Sequence, residues 1–93
     1  MPEFYAVDLT PAAQRDLAAL VRNPPDKQTL QRIDENILAL GKDPRPARAI
    51  KLQGSDFWRI VVGDYRIIYA INDKARLVTV SRVRHRREVY RDS

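Results

Sequence analysis

Two runs of β-type residues, Phe57-Trp58-Arg59-Ile60-Val61-Val62 and Tyr65-Arg66-Ile67-Ile68-Tyr69-Ala70-Ile71, meet at Gly63-Asp64. A glycine-led pair between such runs predicts a two-residue hairpin, because only turns of that kind match the twist of the flanking strands. Placing the turn sets the pairing: Val62 opposite Tyr65, Val61 opposite Arg66, Ile60 opposite Ile67 and Arg59 opposite Ile68. Side chains alternate along a strand, so Trp58, Ile60, Val62, Tyr65, Ile67 and Tyr69 are expected on one face. Arg59, Val61, Arg66 and Ile68 fall on the other, the two arginines as diagonal neighbours. The first set suits a floor beneath helices, with Trp58 and Tyr69 in the core. The second brings two guanidinium groups together on an open surface, where each planar fork can hold a phosphate.

The helices lie upstream. Phe4-Tyr5-Ala6-Val7-Asp8-Leu9 reads as a first strand. Thr10 then offers an N-cap and Pro11 the first helical position. Ala13, Leu17, Leu20 and Val21 follow along one side of a helix that Asn23-Pro24-Pro25-Asp26 breaks. A second helix is expected from about Pro25 to Gly41, with Leu30, Ile33, Ile37 and Leu40 as its apolar stripe. Gly41 is placed to end it, and Asp43-Pro44-Arg45-Pro46 forbids continuation. Ala49 to Leu52 reads as a short strand closed by Gln53-Gly54, and Leu77 to Val83 as the last strand. A β-α-α-β-β-β order gives an α+β fold, with two N-terminal helices on one face of a small antiparallel sheet.

At 93 residues the chain is long enough for one modest core, so residues 1–93 are read as a single domain. No apolar run reaches the roughly 20 residues needed to cross a bilayer. The N-terminal Met1-Pro2-Glu3-Phe4-Tyr5 lacks the regions of a signal peptide, and a cytoplasmic setting is expected. With no cysteine and one histidine, neither a thiolate nor a histidine-cluster metal site is expected, and no cofactor.

Charge is segregated along the chain. Residues 1–41 carry four basic side chains against six acidic, a net of −2; residues 42–93 carry thirteen against six, a net of +7. The excess culminates in Ser81 to Asp92, which holds five arginines, the single histidine and Tyr90. Crowded guanidinium groups repel one another, so the run is either a solvated terminus or a site for a polyanion. Nucleic acid leads as that polyanion, ahead of an acidic protein and a membrane surface.

Four segments together resemble the RelE/ParE superfamily of toxins from bacterial toxin–antitoxin pairs. They are Asp43-Pro44-Arg45-Pro46, Lys51-Leu52-Gln53-Gly54, Trp58 through Tyr69, and His85-Arg86-Arg87-Glu88-Val89-Tyr90-Arg91. The resemblance spans nearly the whole chain and agrees with the order of elements, including a short C-terminal helical turn. It implies one of two activities. RelE-like members cut messenger RNA in the ribosomal A site, without metal, by attack of the ribose 2′-hydroxyl on the adjacent phosphate; ParE-like members inhibit DNA gyrase. The arginine–tyrosine ending is similar to the RelE side, so a ribosome-dependent endoribonuclease is the leading expectation and a gyrase inhibitor the alternative. A cognate acidic antitoxin is the implied partner, in a toxin–antitoxin hetero-oligomer, with messenger on the ribosome as the other partner.

The same resemblance assigns roles. Arg66 matches the family's catalytic arginine and would hold the phosphate. Arg59 stands where the family has a lysine; its guanidinium stays charged, so it clamps rather than acting as a base. Arg86 matches a second catalytic arginine, with Arg84 the alternative in a neighbouring alignment. Tyr90 matches a tyrosine that stacks on a base, unless its ring packs the last turn onto the sheet. Histidine is the residue type whose unperturbed pKa lies near neutrality, so His85 suits a general acid or base, or a structural role. Lys51, Arg82, Arg84 and Arg87 complete the expected substrate-binding set. Val61 departs from the family, which often carries a second lysine there.

Overall fold

The computed structural model describes residues 4–87. The order is β1 (Ala6–Leu9), α1 (Pro11–Arg22), α2 (Lys27–Ala39), β2 (Ile50–Lys51), β3 (Phe57–Val62), β4 (Tyr65–Asn72) and β5 (Leu77–His85). The strands form one sheet in the order β1-β5-β4-β3-β2, with α1 against β5 and α2 against β3. The α+β architecture is the expected one, with two corrections. The short strand expected at Ala49–Leu52 is present as β2, paired with β3, so the order holds one strand more than β-α-α-β-β-β. The sheet is also mixed, because β1 runs parallel to β5. Parallel neighbours need a long crossover. Here the two helices and three strands between β1 and β5 supply it.

Local chemistry accounts for the helix boundaries. The Thr10 hydroxyl accepts from the Ala13 N–H at 3.1 Å, and Pro11 opens α1. α2 starts at Lys27 rather than at about Pro25, and Asp26 caps it, accepting from the Thr29 N–H at 2.7 Å. These bonds satisfy first-turn donors that have no partner within the helix. Gly41 acts through its small size. Tyr5 donates its N–H to the Gly41 carbonyl at 2.8 Å, and a Cβ on Gly41 would sit 3.0 Å from the Tyr5 carbonyl oxygen. In the hairpin, Gly63 takes φ 59° at the first central position, as a type II′ turn requires.

Helix stripe and sheet floor meet in one core of Ala13, Leu20, Ile33, Ile37, Leu40, Ile60, Val62, Ile67, Tyr69, Val78, Val80 and Val83. Val21, expected with the buried side of α1, is 67% exposed, because it lies about 100° round the helix from Leu20. Tyr69 is the largest fully buried side chain, and its hydroxyl donates to the Pro44 carbonyl at 2.7 Å. Burial pushes its phenol up to about 12. Beside it, Arg45 holds Asp73 with two bonds of 3.2 and 2.9 Å and lies over the Trp58 ring at 5.6 Å. The Tyr5 hydroxyl donates to the same carboxylate at 2.5 Å. Hydrogen bonds from Arg45 and Tyr5 hold Asp73 below the usual carboxylate range. Pro44 and Arg45 of the Asp-Pro-Arg-Pro segment thus fasten α2's exit to the floor and to the β4–β5 turn. Among the described residues, no helix is long and apolar enough to cross a membrane.

Candidate functional site

The face of the sheet opposite the helices carries the charge. The hairpin pairs Val62 with Tyr65, Val61 with Arg66, Ile60 with Ile67 and Arg59 with Ile68, the register expected from the turn. Its outward residues are therefore Phe57, Arg59 and Val61 on β3, with Arg66, Ile68 and Ala70 on β4.

β5 completes the face through an irregularity. Ile68 is opposite Arg82 but Tyr69 is opposite Val80, so Ser81 is an extra residue without a counterpart. A bulge of this kind changes which residues point inward. Before it, Val78 and Val80 enter the core; after it, Val83 does. With unbroken alternation Arg82 and Arg84 would follow Val80 inward, at prohibitive desolvation cost. The bulge sends them outward instead. Thr10 fixes it in place, donating its hydroxyl to the Ser81 carbonyl at 2.8 Å and its N–H to the Val80 carbonyl at 3.0 Å.

Arg66 consequently has Val61 on one side and Arg84 directly across on the other. Arg59 lies one diagonal step away, beside Ile68. All three arginines are half-buried. Like charges directly opposite one another destabilise a sheet. Such an arrangement favours an anion that bridges the two guanidinium groups.

The other expected site residues are distributed differently. Arg82 is committed to α1: its Nε and Nη2 meet the Asp16 carboxylate at 2.9 and 3.1 Å, and the Val83 N–H donates to the same carboxylate at 2.9 Å. Asp16 thereby closes the edge of β5 beyond β1, and Arg82 serves that closure. His85 is opposite Tyr65, on the helix side, and their rings meet edge to face at 5.3 Å. Its Nδ1 accepts the Arg87 N–H at 3.2 Å, which leaves the proton of a neutral ring on Nε2. The strand thus puts His85 on the face opposite Arg59, Arg66 and Arg84. Lys51 is opposite Trp58, also on the helix side, and rims an open depression with Gln53, Gly54 and Asp56.

The chain turns helical at Arg86 and Arg87, both exposed. Arg86 is held at the hairpin turn: its N–H donates to the Asp64 carbonyl at 2.7 Å, and its Nε lies 3.7 Å from the Asp64 carboxylate. Tyr90 lies outside the described residues, as does the rest of the expected C-terminal turn. Phe57 was not singled out in the sequence, although the alternation that exposes Arg59 also turns Phe57 outward.

The model of the ParE toxin of the type II toxin–antitoxin system parDE matches residues 7–90. The chain belongs to this toxin family. Solved structures place the toxin within the wider RelE/ParE superfamily. It is similar to the RelE of the archaeal RelE–RelB complex of Pyrococcus horikoshii, with 28% identity and a TM-score of 0.73 over 89% of this chain and 96% of that one. In the toxin–antitoxin complex RelBE2 of Mycobacterium tuberculosis, the matched chain is 28% identical, with a TM-score of 0.70 over 88% and 91%. The YoeB/ParE toxin of Agrobacterium tumefaciens shares the fold, at 16% identity and a TM-score of 0.73 over 86% and 96%. No curated protein matches the sequence. The protein is thus a toxin of a type II pair, and two of these relatives were solved bound to their antitoxins.

Proposed function

We propose that this toxin is a metal-free endoribonuclease that cuts messenger RNA in the ribosomal A site. The observation that carries the reading is Arg66 facing Arg84, with Arg59 on the diagonal, all on the open face. In the reaction the ribose 2′-oxygen bonds to phosphorus and the bond from phosphorus to the 5′-oxygen breaks. A 2′,3′-cyclic phosphate and a 5′-hydroxyl result. Arg66 and Arg84 hold the non-bridging oxygens as charge grows on them, and Arg59 clamps the neighbouring phosphate. Arg86, Arg87 and Tyr90 of the tail grip the flanking strand. The guanidinium groups remain charged throughout, so the 2′-proton leaves to solvent and the 5′-oxygen takes one from it. His85 positions the tail against Tyr65, and Lys51 contributes only to the field around the site.

Removing one preorganised charge-stabilising donor costs on the order of a hundredfold in rate. Expression of the Arg66→Ala chain should therefore relieve growth arrest. Primer extension on messenger from cells making the native chain should show new ends inside reading frames. Unchanged ends would reject ribonuclease activity.

A second reading is inhibition of DNA gyrase without catalysis. Val61, 41% exposed where the superfamily often has a lysine, favours it, as does the ParE name of the matching family. DNA-damage signalling with intact messenger would select it. Under either reading the partner is an antitoxin whose contacting stretch is rich in Asp and Glu, because covering these arginines without counter-charge would be costly.

A further inference from the structure

Phe57 opens the outward row of β3, two residues before Arg59 and about 7 Å from it along the strand. Phe57 is 40% exposed; toward β4 and β5 its cross-strand neighbours are small, Ala70 opposite it and Thr79 beyond, while on the β2 side Leu52 adjoins it, donating its N–H to the Phe57 carbonyl at 2.8 Å. The flank of the ring toward β4 is thus uncovered by its own sheet. Ile50, opposite Arg59 and 51% exposed, borders it on the β2 side. A lone exposed aromatic is ordinary. An aromatic with an open flank in line with Arg59, and on the face of Arg66 and Arg84, has the pattern of a single-strand platform: a cationic track with a π-surface beside it.

We propose that Phe57 is a stacking platform for one base of single-stranded RNA, flanking the phosphate that Arg59 clamps. The proposal rests on the ribonuclease reading and adds a positioning contact to it. Val61, which faces Arg66, lies four residues from Phe57, about 13 Å along the strand. The stacked base therefore belongs to a nucleotide beside the cleaved bond. Charge complementarity selects nucleic acid as the occupant, because the ring sits among cations of its own face.

Fluorescence anisotropy on the purified full-length chain tests this, using a short labelled oligoribonucleotide and an abasic strand with the same phosphates. The native chain should bind the base-bearing strand about fivefold or more tighter, the low end for stacking on one half-buried ring. Phe57→Leu should reduce that preference to about parity, with abasic binding and salt dependence unaltered, while Phe57→Trp keeps it. Arg66→Ala should weaken both strands alike. Equal binding of both strands by the native chain, or a preference that survives in Phe57→Leu, overturns the platform and leaves the arginine grip standing. Failure of both strands to bind overturns the platform, while the ribosome-dependent ribonuclease reading stands or falls by primer extension. If Phe57→Leu binds RNA normally but loses affinity for the antitoxin, the ring is a protein contact and the proposal falls.

Discussion

On the helix-covered face Ile67 lies between Ile60 and Val83; one step along the same strands, on the open face, Arg66 lies between Val61 and Arg84. Hydrogen-bond ladder and twist are common to both rows, so the contrast resides in the side chains. The covered row satisfies the rules of sheet stability, with apolar groups meeting across strands and excluded from water. The open row breaks them by setting guanidinium against guanidinium. Such local departures from the rules of sheet stability mark places where function is selected.

If the faces divide labour in this way, mutations should separate stability from activity. The largest loss of stability is expected from Tyr69→Ala, about 3–5 kcal/mol by analogy with other buried aromatic truncations, measured by denaturant unfolding. A loss below about 1 kcal/mol would mean the core repacks freely and the contrast is weaker than drawn.

The same residue sets an alkaline limit. Its phenol ionises near 10.0 when unfolded and at about 12 when folded, because burial disfavours the anion. The folded pKa is raised, so this contribution is complete below pH 10 and is lost as pH rises toward 12. The loss is on the order of 2 kcal/mol, and Tyr69→Phe should remove the step from a stability–pH profile. Persistence of the step in that variant would assign it elsewhere.

Asp16→Ala should cost about 1–3 kcal/mol, since it leaves the Val83 N–H without its acceptor and removes two Arg82 hydrogen bonds. Growth arrest should decline only in proportion to the folded fraction; a greater decline would bring Arg82 back into the site.

The smallest effect on stability sharpens the comparison most. Arg66→Ala should change unfolding free energy by no more than about 1 kcal/mol, far less than the core truncation, while toxicity falls. A variant that both unfolds and loses toxicity would make Arg66 structural and erase the distinction between the faces.

The hairpin was legible because a two-residue turn admits one register, and register places every side chain it links. The helix stripes were legible too, although Val21 shows that a periodic pattern does not define the width of the buried face. The Asp16–Arg82 pair was not legible, as its partners are 66 residues apart and meet only when α1 covers an edge. His85 attracted attention as the chain's single histidine. Residue type speaks to chemistry but not to the face a side chain occupies.

From the chain alone came the segregated charge, the helix caps and the pairing across Gly63-Asp64, all properties of residues near one another in sequence. Tertiary structure alone decided that Arg84 joins Arg66. Simple alternation from Val80 would have buried that arginine, and the extra residue at Ser81, held by Thr10 from the other end of the chain, reverses the alternation. Insertion of one residue into a period of two exchanges the faces, and its position is set by whichever groups are available across the fold to bind the orphaned backbone.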